Sequence, residues 1–165
     1  MGTGPGGALR LPLAGHEPES FSMLKRYYTD LVTEAPVSAR QAYRFFCNID
    51  DWADWSGAID KAKLFGGEWR KGAFLMFAPK VDNLPAPPLI VRLLDVQPER
   101  SITWGLALPG ASIKHRFSFI PVGDDQCRIH HEEWSEGLMT LLAWPAAGLI
   151  RRFNDRFARE LAAMF

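Results

Sequence analysis

Cysteine is scarce in this sequence, and the few cysteines form no motif. Two occur among the 165 residues, Cys47 and Cys127, and they are too far apart for a metal-ligand or redox spacing. We interpret them as reduced thiols of an intracellular, cytoplasmic protein. Net charge is absent as well, because 19 basic residues balance 19 acidic residues. The totals give no electrostatic reason to expect a nucleic acid or an anionic membrane as partner.

Long apolar runs and nucleotide-binding motifs are also missing. No stretch approaches the roughly 20 apolar residues of a membrane span. The segment from Ala8 to Ala14 is too short, and too interrupted by proline, to be an export signal. The sequence has no GxSxG, no GxGxxG and no phosphate-binding loop. We therefore expect a protein without stable membrane insertion and without a cofactor.

The residues that are present indicate one globular domain after a leader. Apolar residues make up 47% of the chain, with six Trp and eleven Phe, which is sufficient for a sizeable core. The first twenty residues instead hold five Gly and three Pro. We predict a flexible leader over residues 1–22 and a single domain over residues 23–165.

The C-terminal region has the clearest periodicity. Apolar residues recur at steps of about four, which predicts an amphipathic helix with one buried face: Leu138, Leu142, Leu149, Phe153, Phe157 and Leu161. Pro145 either opens this helix at its first turn or kinks a longer one. From Pro145 to Met164 the helix would be about 30 Å long. A helix of that length needs a large apolar partner surface.

The preceding sequence predicts a sheet that supplies this surface. Ser38 is a candidate N-cap for a short helix through Cys47, and residues 50–55 indicate a second helical turn. The remaining segments are short, rich in β-formers and separated by turn residues, which favours an antiparallel meander. The predicted strands cover residues 24–34, 58–65, 73–78, 89–96, 102–108, 112–120 and 126–135.

This order of elements resembles the helix-grip superfamily of START, polyketide-cyclase and pollen-allergen-like proteins. The resemblance covers residues 24–165, and its carriers are Ala35-Pro36, Phe45-Phe46, the stretch from Asn48 to Trp55, Asp95-Val96-Gln97-Pro98, Trp104, His115-Arg116-Phe117 and Gly137-Leu138. It implies an α+β fold in which a curved antiparallel sheet grips a long C-terminal helix around an apolar cavity. Members of the superfamily bind lipids, sterols, polyketides or hormones, and some cyclise or dehydrate their ligand.

Two positions bear on how far the resemblance extends. Trp52 falls where aromatase/cyclase relatives place a tryptophan in the pocket. Their arginine and serine on the fourth strand are not matched, since the equivalent stretch here is Leu93-Leu94-Asp95. This departure weakens the case for the same aromatic-cyclisation chemistry.

Alternation along the strands selects the candidate polar residues of the cavity. His115 shares a face with Ile113, Phe117 and Phe119, so we expect it to point inward. A neutral imidazole there is either a general base and donor to a ligand carbonyl, or a core histidine bonded to a neighbouring strand.

Arg92 and Glu133 are the other two candidate catalytic residues. Ile90, Leu94 and Val96 place Arg92 on the inner face of its strand, where Glu133 would be its partner. The alternative frame puts Val91 and Leu93 inside and Arg92 in water.

The run His130-His131-Glu132-Glu133 raises the question of a metal site. Neighbours on a strand point to opposite faces, so only His131 and Glu133 could converge, with His115 as third ligand. We expect a hydrogen-bonded polar cluster here rather than a metal site.

Aromatic and apolar side chains complete the predicted cavity. Residues of this kind are more often core than cavity wall, but around a cavity they would suit a flat or polycyclic ligand. The candidate ligand-binding residues are Trp52, Trp55, Phe74, Met76, Trp104, Phe117, His131, Trp144, Leu149 and Phe153.

Two functions remain open from the sequence. We expect the protein to bind a small hydrophobic ligand, and either to cyclise or dehydrate it by acid/base chemistry at His115, Arg92 and Glu133, or to carry it unchanged. A third function, a co-chaperone-like or toxin-like module acting through its surface, has less support because the charge is neutral. We expect a monomer or a homodimer.

Overall fold

The computed structural model describes residues 25–138, 140 and 145–165. Within them the elements are, in chain order, strand β1 (Lys25–Ala35), helix α1 (Ala39–Cys47), a 3₁₀ turn (Ile49–Asp51), helix α2 (Trp52–Trp55), strands β2 (Ile59–Leu64), β3 (Phe74–Val81), β4 (Leu84–Pro85), β5 (Leu89–Gln97), β6 (Ser101–Leu108), β7 (Ala111–Pro121) and β8 (Cys127–Glu136), and helix α3 (Ala147–Ala162). This order agrees with the prediction, except that the short β4 in the proline-rich loop was missed.

The strands form one curled antiparallel sheet in the order β1-β8-β7-β6-β5-β3-β2, with β4 paired to β3. Register shifts interrupt three of the strand pairs, at Tyr27/Thr29, Ile59/Lys61 and Leu93/Asp95. Bulges of this kind bend strands and increase their twist, so the sheet curls into a half-barrel. The predicted α+β helix-grip fold is thereby confirmed.

Helix α1 begins where the sequence predicted. Ser38 and Gln41 form a capping box, in which each side chain accepts a hydrogen bond from the other residue's backbone N–H. Phe46, on the buried face of α1, lies at the centre of the core, with ring centroids 4.7 Å from Phe117 and 4.9 Å from Trp52. The indole N–H of Trp52 donates to the Phe46 carbonyl at 2.7 Å, which fixes the turn after α1.

Helix α3 lies across the open side of the half-barrel and is shorter than predicted. It has 16 residues, or about 24 Å, and begins two positions after Pro145. Phe157 and Leu161 of the predicted apolar stripe are buried. Leu138 instead lies before the helix and is 77% exposed, because the chain turns at Gly137 with a positive φ of 109°.

Three predictions fall on residues outside this description. They are the leader over residues 1–22, the apolar residue Leu142 and the candidate ligand contact Trp144. All three stay predictions.

Replacement of Phe157 tests the buried face of α3. Its ring is 3% exposed and stacks on Trp55 at 5.2 Å, so Phe157→Ala should lower the free energy of unfolding by ~3–5 kcal/mol. Arg151→Ala on the exposed side of the same helix should cost less than ~0.5 kcal/mol. Urea denaturation measures both, and equal losses would mean that the buried face has been misassigned.

Candidate functional site

A pocket of about 120 Å³ lies between α3 and the inner face of the sheet. Its lining is apolar except for His115 and Glu133, and consists of Phe77, Pro79, Val81, Leu89, His115, Glu133, Leu149, Ile150 and Phe153. An apolar cavity of about 150 Å³ can hold one benzene molecule. The volume therefore suits a single ring or a short alkyl chain, and is smaller than a polycyclic ligand requires.

His115 and Glu133 face each other across neighbouring strands. The β7–β8 register makes them direct partners, and it turns both side chains towards α3. The Nε2 atom of His115 lies 3.3 Å from Oε1 of Glu133, and the two side chains are 12% and 4% exposed. Trp104, the partner of His115 on β6, stacks on the imidazole at 5.5 Å. The imidazole is thus held between a carboxylate and an indole, at the edge of an apolar pocket.

Asn154 on α3 completes this polar cluster and was not predicted from the sequence. It is fully buried, and its side-chain amide donates to Oε2 of Glu133. Helical spacing could have identified it, because Asn154, Phe157 and Leu161 fall at i, i+3 and i+7 on the buried face. Glu133 therefore contacts the strand side through one oxygen and the helix side through the other.

His131 lies behind the cluster rather than in the pocket. Its ring is fully buried and stacks on Phe117 at 4.0 Å, and neither ring nitrogen has a hydrogen-bond partner among the described residues. Burial, followed by the charge of His115, lowers the pKa of His131 well below its ordinary value of 6.5, although the nearby Asn154 backbone opposes the shift. The folded protein therefore keeps this imidazole neutral.

The inward placement predicted for Arg92 is wrong. Arg92 is exposed and pairs with Phe74 on the outer face, whereas Val91 and Leu93 are buried. The bulge at Leu93/Asp95 reverses the alternation within β5. Alternation counted back from Val96, which faces the interior, therefore assigns the residues before the bulge to the wrong face. The alternative assignment, with Val91 and Leu93 inside and Arg92 in water, is correct. Arg92 does not reach the pocket.

The placement of Phe74 and Met76 is wrong for a different reason. Phe74 is 51% exposed and Met76 is half-buried, whereas Leu75 and Phe77 face the interior. The segment from Phe74 to Ala78 is apolar at every position, so alternation could not select its inner face. Phe77, Pro79 and Val81 are therefore the pocket residues on β3.

The other predicted contacts divide between the pocket and the core. Leu149 and Phe153 on α3 line the pocket. Trp52, Trp104 and Phe117 are almost fully buried in the aromatic core, and Trp55 packs against Phe157, so these four rings lie behind the pocket. Within the part of the chain that the structure describes, the buried indole N–H of Trp104 has no hydrogen-bond partner.

Alternative chemistries have little support in this geometry. Burial raises the pKa of the Cys47 thiol to about 11 and also raises that of Cys127, so neither is an activated nucleophile. Across the described residues, no group of three or more His, Cys, Asp or Glu side chains converges as metal ligands. In the same part of the chain, no helix is long and apolar enough to cross a membrane.

The neutral state of His131 predicts a pH-dependent stability. Below pH 6.5 the unfolded chain binds a proton that the folded protein excludes, so stability should fall as the pH decreases. Above pH 6.5 His131 is neutral in both the folded and the unfolded chain, so its contribution to the free energy of unfolding should not change with pH. His131→Leu keeps a similar side-chain volume and removes the titrating group. The slope of the free energy of unfolding against pH, between pH 5.5 and 6.5, should therefore decrease by up to ~1.4 kcal/mol per pH unit. Urea denaturation across pH 5.5–8 measures it.

A matched control is His130 on the outer face of the same strand, whose Nε2 lies 2.7 Å from Oδ1 of Asp30. If His130→Gln changes the slope and His131→Leu does not, the pH dependence has another origin.

One family of known proteins and several solved structures are similar to this chain. A family described as "Polyketide cyclase / dehydrase and lipid transport" matches residues 29–163. No curated protein matches. A START superfamily protein from Mycobacterium smegmatis is 13% identical, with a TM-score of 0.65 over 82% of this chain and 94% of that one.

Two further structures share the fold at similarly low identity. The Zhui aromatase/cyclase from Streptomyces sp. R1128 is 10% identical, with a TM-score of 0.67 over 86% of this chain and 93% of that one. Ginseng major latex-like protein 151 from Panax ginseng is 15% identical, with a TM-score of 0.68 over 86% and 97%. The superfamily resemblance drawn from the sequence is confirmed. With a match over most of its length, the chain belongs to the polyketide cyclase/dehydrase and lipid transport family.

Proposed function

We propose that this protein binds a small hydrophobic ligand in the pocket under α3 and transforms it by acid/base chemistry at His115. The observation that carries this proposal is the His115–Glu133 pair, which lies nearly buried at one side of an otherwise apolar pocket. The family description, which names cyclases and dehydrases, supports the same class of reaction.

Apolar surface selects the ligand. Aliphatic and aromatic side chains from β3, β5 and α3 line the pocket, so an apolar ligand gains roughly 25 cal/mol for each Å² that it buries. The pocket's charged or titratable side chains in the described residues are those of His115 and Glu133. A carbonyl or hydroxyl group of the ligand would therefore lie at this pair, because an unpaired polar group elsewhere in the pocket is costly.

The His115–Glu133 pair can accept a proton from one position of the ligand and return it to another. Glu133 contacts Nε2 of His115 and so favours the tautomer with its proton on Nε2, which leaves Nδ1 as the basic nitrogen. Nδ1 would take a proton from the carbon next to a ligand carbonyl, and Glu133 would stabilise the imidazolium. The imidazolium would then protonate a departing β-hydroxyl group, releasing water and restoring the neutral ring. Asn154 would keep Glu133 in place throughout.

Non-catalytic carriage of the ligand is the second candidate. It is favoured by the engagement of both Glu133 oxygens with side chains of the chain itself, His115 and Asn154. In a carrier, this cluster would be a polar anchor rather than a base. A cytoplasmic location and a monomeric or homodimeric state stay predictions from the sequence.

Hydrogen–deuterium exchange of a small aryl ketone separates the two candidates. Acetophenone has one aromatic ring and a short acyl group, and exchange of its methyl protons in D₂O is the first proton-transfer step of an aldol-type reaction. The wild-type protein should bind acetophenone and accelerate this exchange, as followed by ¹H NMR. His115→Phe should keep the ligand affinity within roughly tenfold and reduce the acceleration by ~10²–10⁴.

His130→Gln is the matched control, because His130 lies on the outer face of the sheet and should leave the exchange rate unchanged. Binding without accelerated exchange would favour the carrier. Absence of binding by acetophenone and by aliphatic ligands would contradict the proposed pocket itself.

A further inference from the structure

A second groove continues from the pocket along the outside of α3. It has a volume of about 530 Å³ and runs between α3 and the β3–β4 hairpin. Val81 and Phe153 line both spaces, so the groove and the pocket are contiguous at these two side chains. We call this space the outer groove. A ligand longer than one ring would extend from the pocket into it.

The outer groove carries more positive than negative side chains. Four cations line it, Lys80, Arg152, Arg156 and Arg159, against the three carboxylates of Asp82, Asp155 and Glu160. The two spaces therefore differ, since the pocket is lined mainly by apolar side chains and the outer groove mainly by charged ones, with an excess of one positive charge.

Most of these charges already have a partner. Arg152 lies 3.4 Å from Asp82, Arg156 lies 2.8 Å from Glu160, and Lys80 lies 3.5 Å from Asp60 outside the groove. Glu160 also accepts hydrogen bonds from the Ser56 hydroxyl and the Ala58 backbone N–H.

Arg159 differs from the other cations. Its guanidinium makes no ion pair and no side-chain hydrogen bond among the residues that the structure describes. Asp155, one turn away, is paired instead with Arg151 at 3.5 Å. The N–H groups of the Arg159 guanidinium are therefore available to bind a carboxylate or phosphate group in a bidentate manner.

The inner end of the pocket excludes an anion. Glu133 is 4% exposed there, and a second carboxylate beside it would be repelled in surroundings of low dielectric constant. An anionic group on the ligand is therefore more favourable at the other end, in the outer groove. The two ends thus fix the direction of a ligand with one charged end.

We propose that the ligand is an amphipathic oxyanion, with its apolar part in the pocket and a carboxylate or phosphate head group at Arg159 in the outer groove. This inference rests on the proposed function, because it uses the same pocket for the apolar part. Arg152 and Arg156 lie beside Arg159 and add to the positive potential at the head group.

Binding of three ligands with the same eight-carbon chain tests the proposal. Nonanoate, octyl phosphate and octan-1-ol carry the same octyl chain and differ only in the head group, and NMR titration measures the affinity of each at low salt. The wild-type protein should bind the two anions roughly three- to tenfold more tightly than the alcohol. The tighter of the two anions identifies the head group. Arg159→Gln should remove the preference, and Arg159→Lys should restore part of it.

Arg128→Gln is the matched control, since Arg128 is an exposed arginine on β8 that pairs with Glu34 and lines neither space. It should keep the full preference. Equal binding of all three ligands, or a preference that survives Arg159→Gln, overturns the head-group site while leaving the pocket intact. If none of the three ligands binds and acetophenone also fails to bind, the proposed function fails with it.

Discussion

The structure depends on the burial of one face of α3 against the aromatic interior of the half-barrel. Phe157 contacts Trp52, Trp55 and Phe117, and Leu161 is fully buried. Towards its first turns the same helix separates from the sheet enough to leave the pocket beside Leu149 and Phe153. The interior is therefore divided into a close-packed aromatic part and a part with room for a ligand. The rings at Phe46 and Trp104 support the first part and keep the second in place.

A polar cluster at the boundary between these parts gives the pocket its polar side chains. A carboxylate buried as deeply as that of Glu133 is tolerated only with partners, because desolvation of an unpaired charge is costly. His115 supplies a partner from β7 and Asn154 supplies one from α3, so the cluster joins sheet and helix. The same arrangement fixes the orientation of the imidazole, which an acid/base residue requires. Stability and the candidate chemistry thus use the same three side chains.

Local signals predicted the strands and helices well but assigned some side chains to the wrong face of the sheet. The capping box at Ser38 and the turn residues between strands are short-range features, and the strands and helices they delimit were predicted closely. Alternation also placed His115 and Glu133 on the inner face, because β7 and β8 have no irregularity in their mutual register. It misplaced Arg92, because a bulge in β5 depends on how that strand pairs with β6. It misplaced Phe74 as well, because both faces of β3 are apolar.

The sequence by itself determined the order of the elements, the helix-grip architecture and the inward orientation of His115. The order and the orientation follow from hydrophobic periodicity and turn chemistry, which act over a few residues, whereas the architecture is what the resemblance to the helix-grip superfamily implies. Only the tertiary structure decided that Asn154 binds Glu133, that Trp52 and Trp104 fill the core, and that the pocket continues to Arg159. Each of these contacts joins segments far apart in the chain. Their distances depend on how the sheet curls and where α3 crosses it, and no local pattern specifies those quantities.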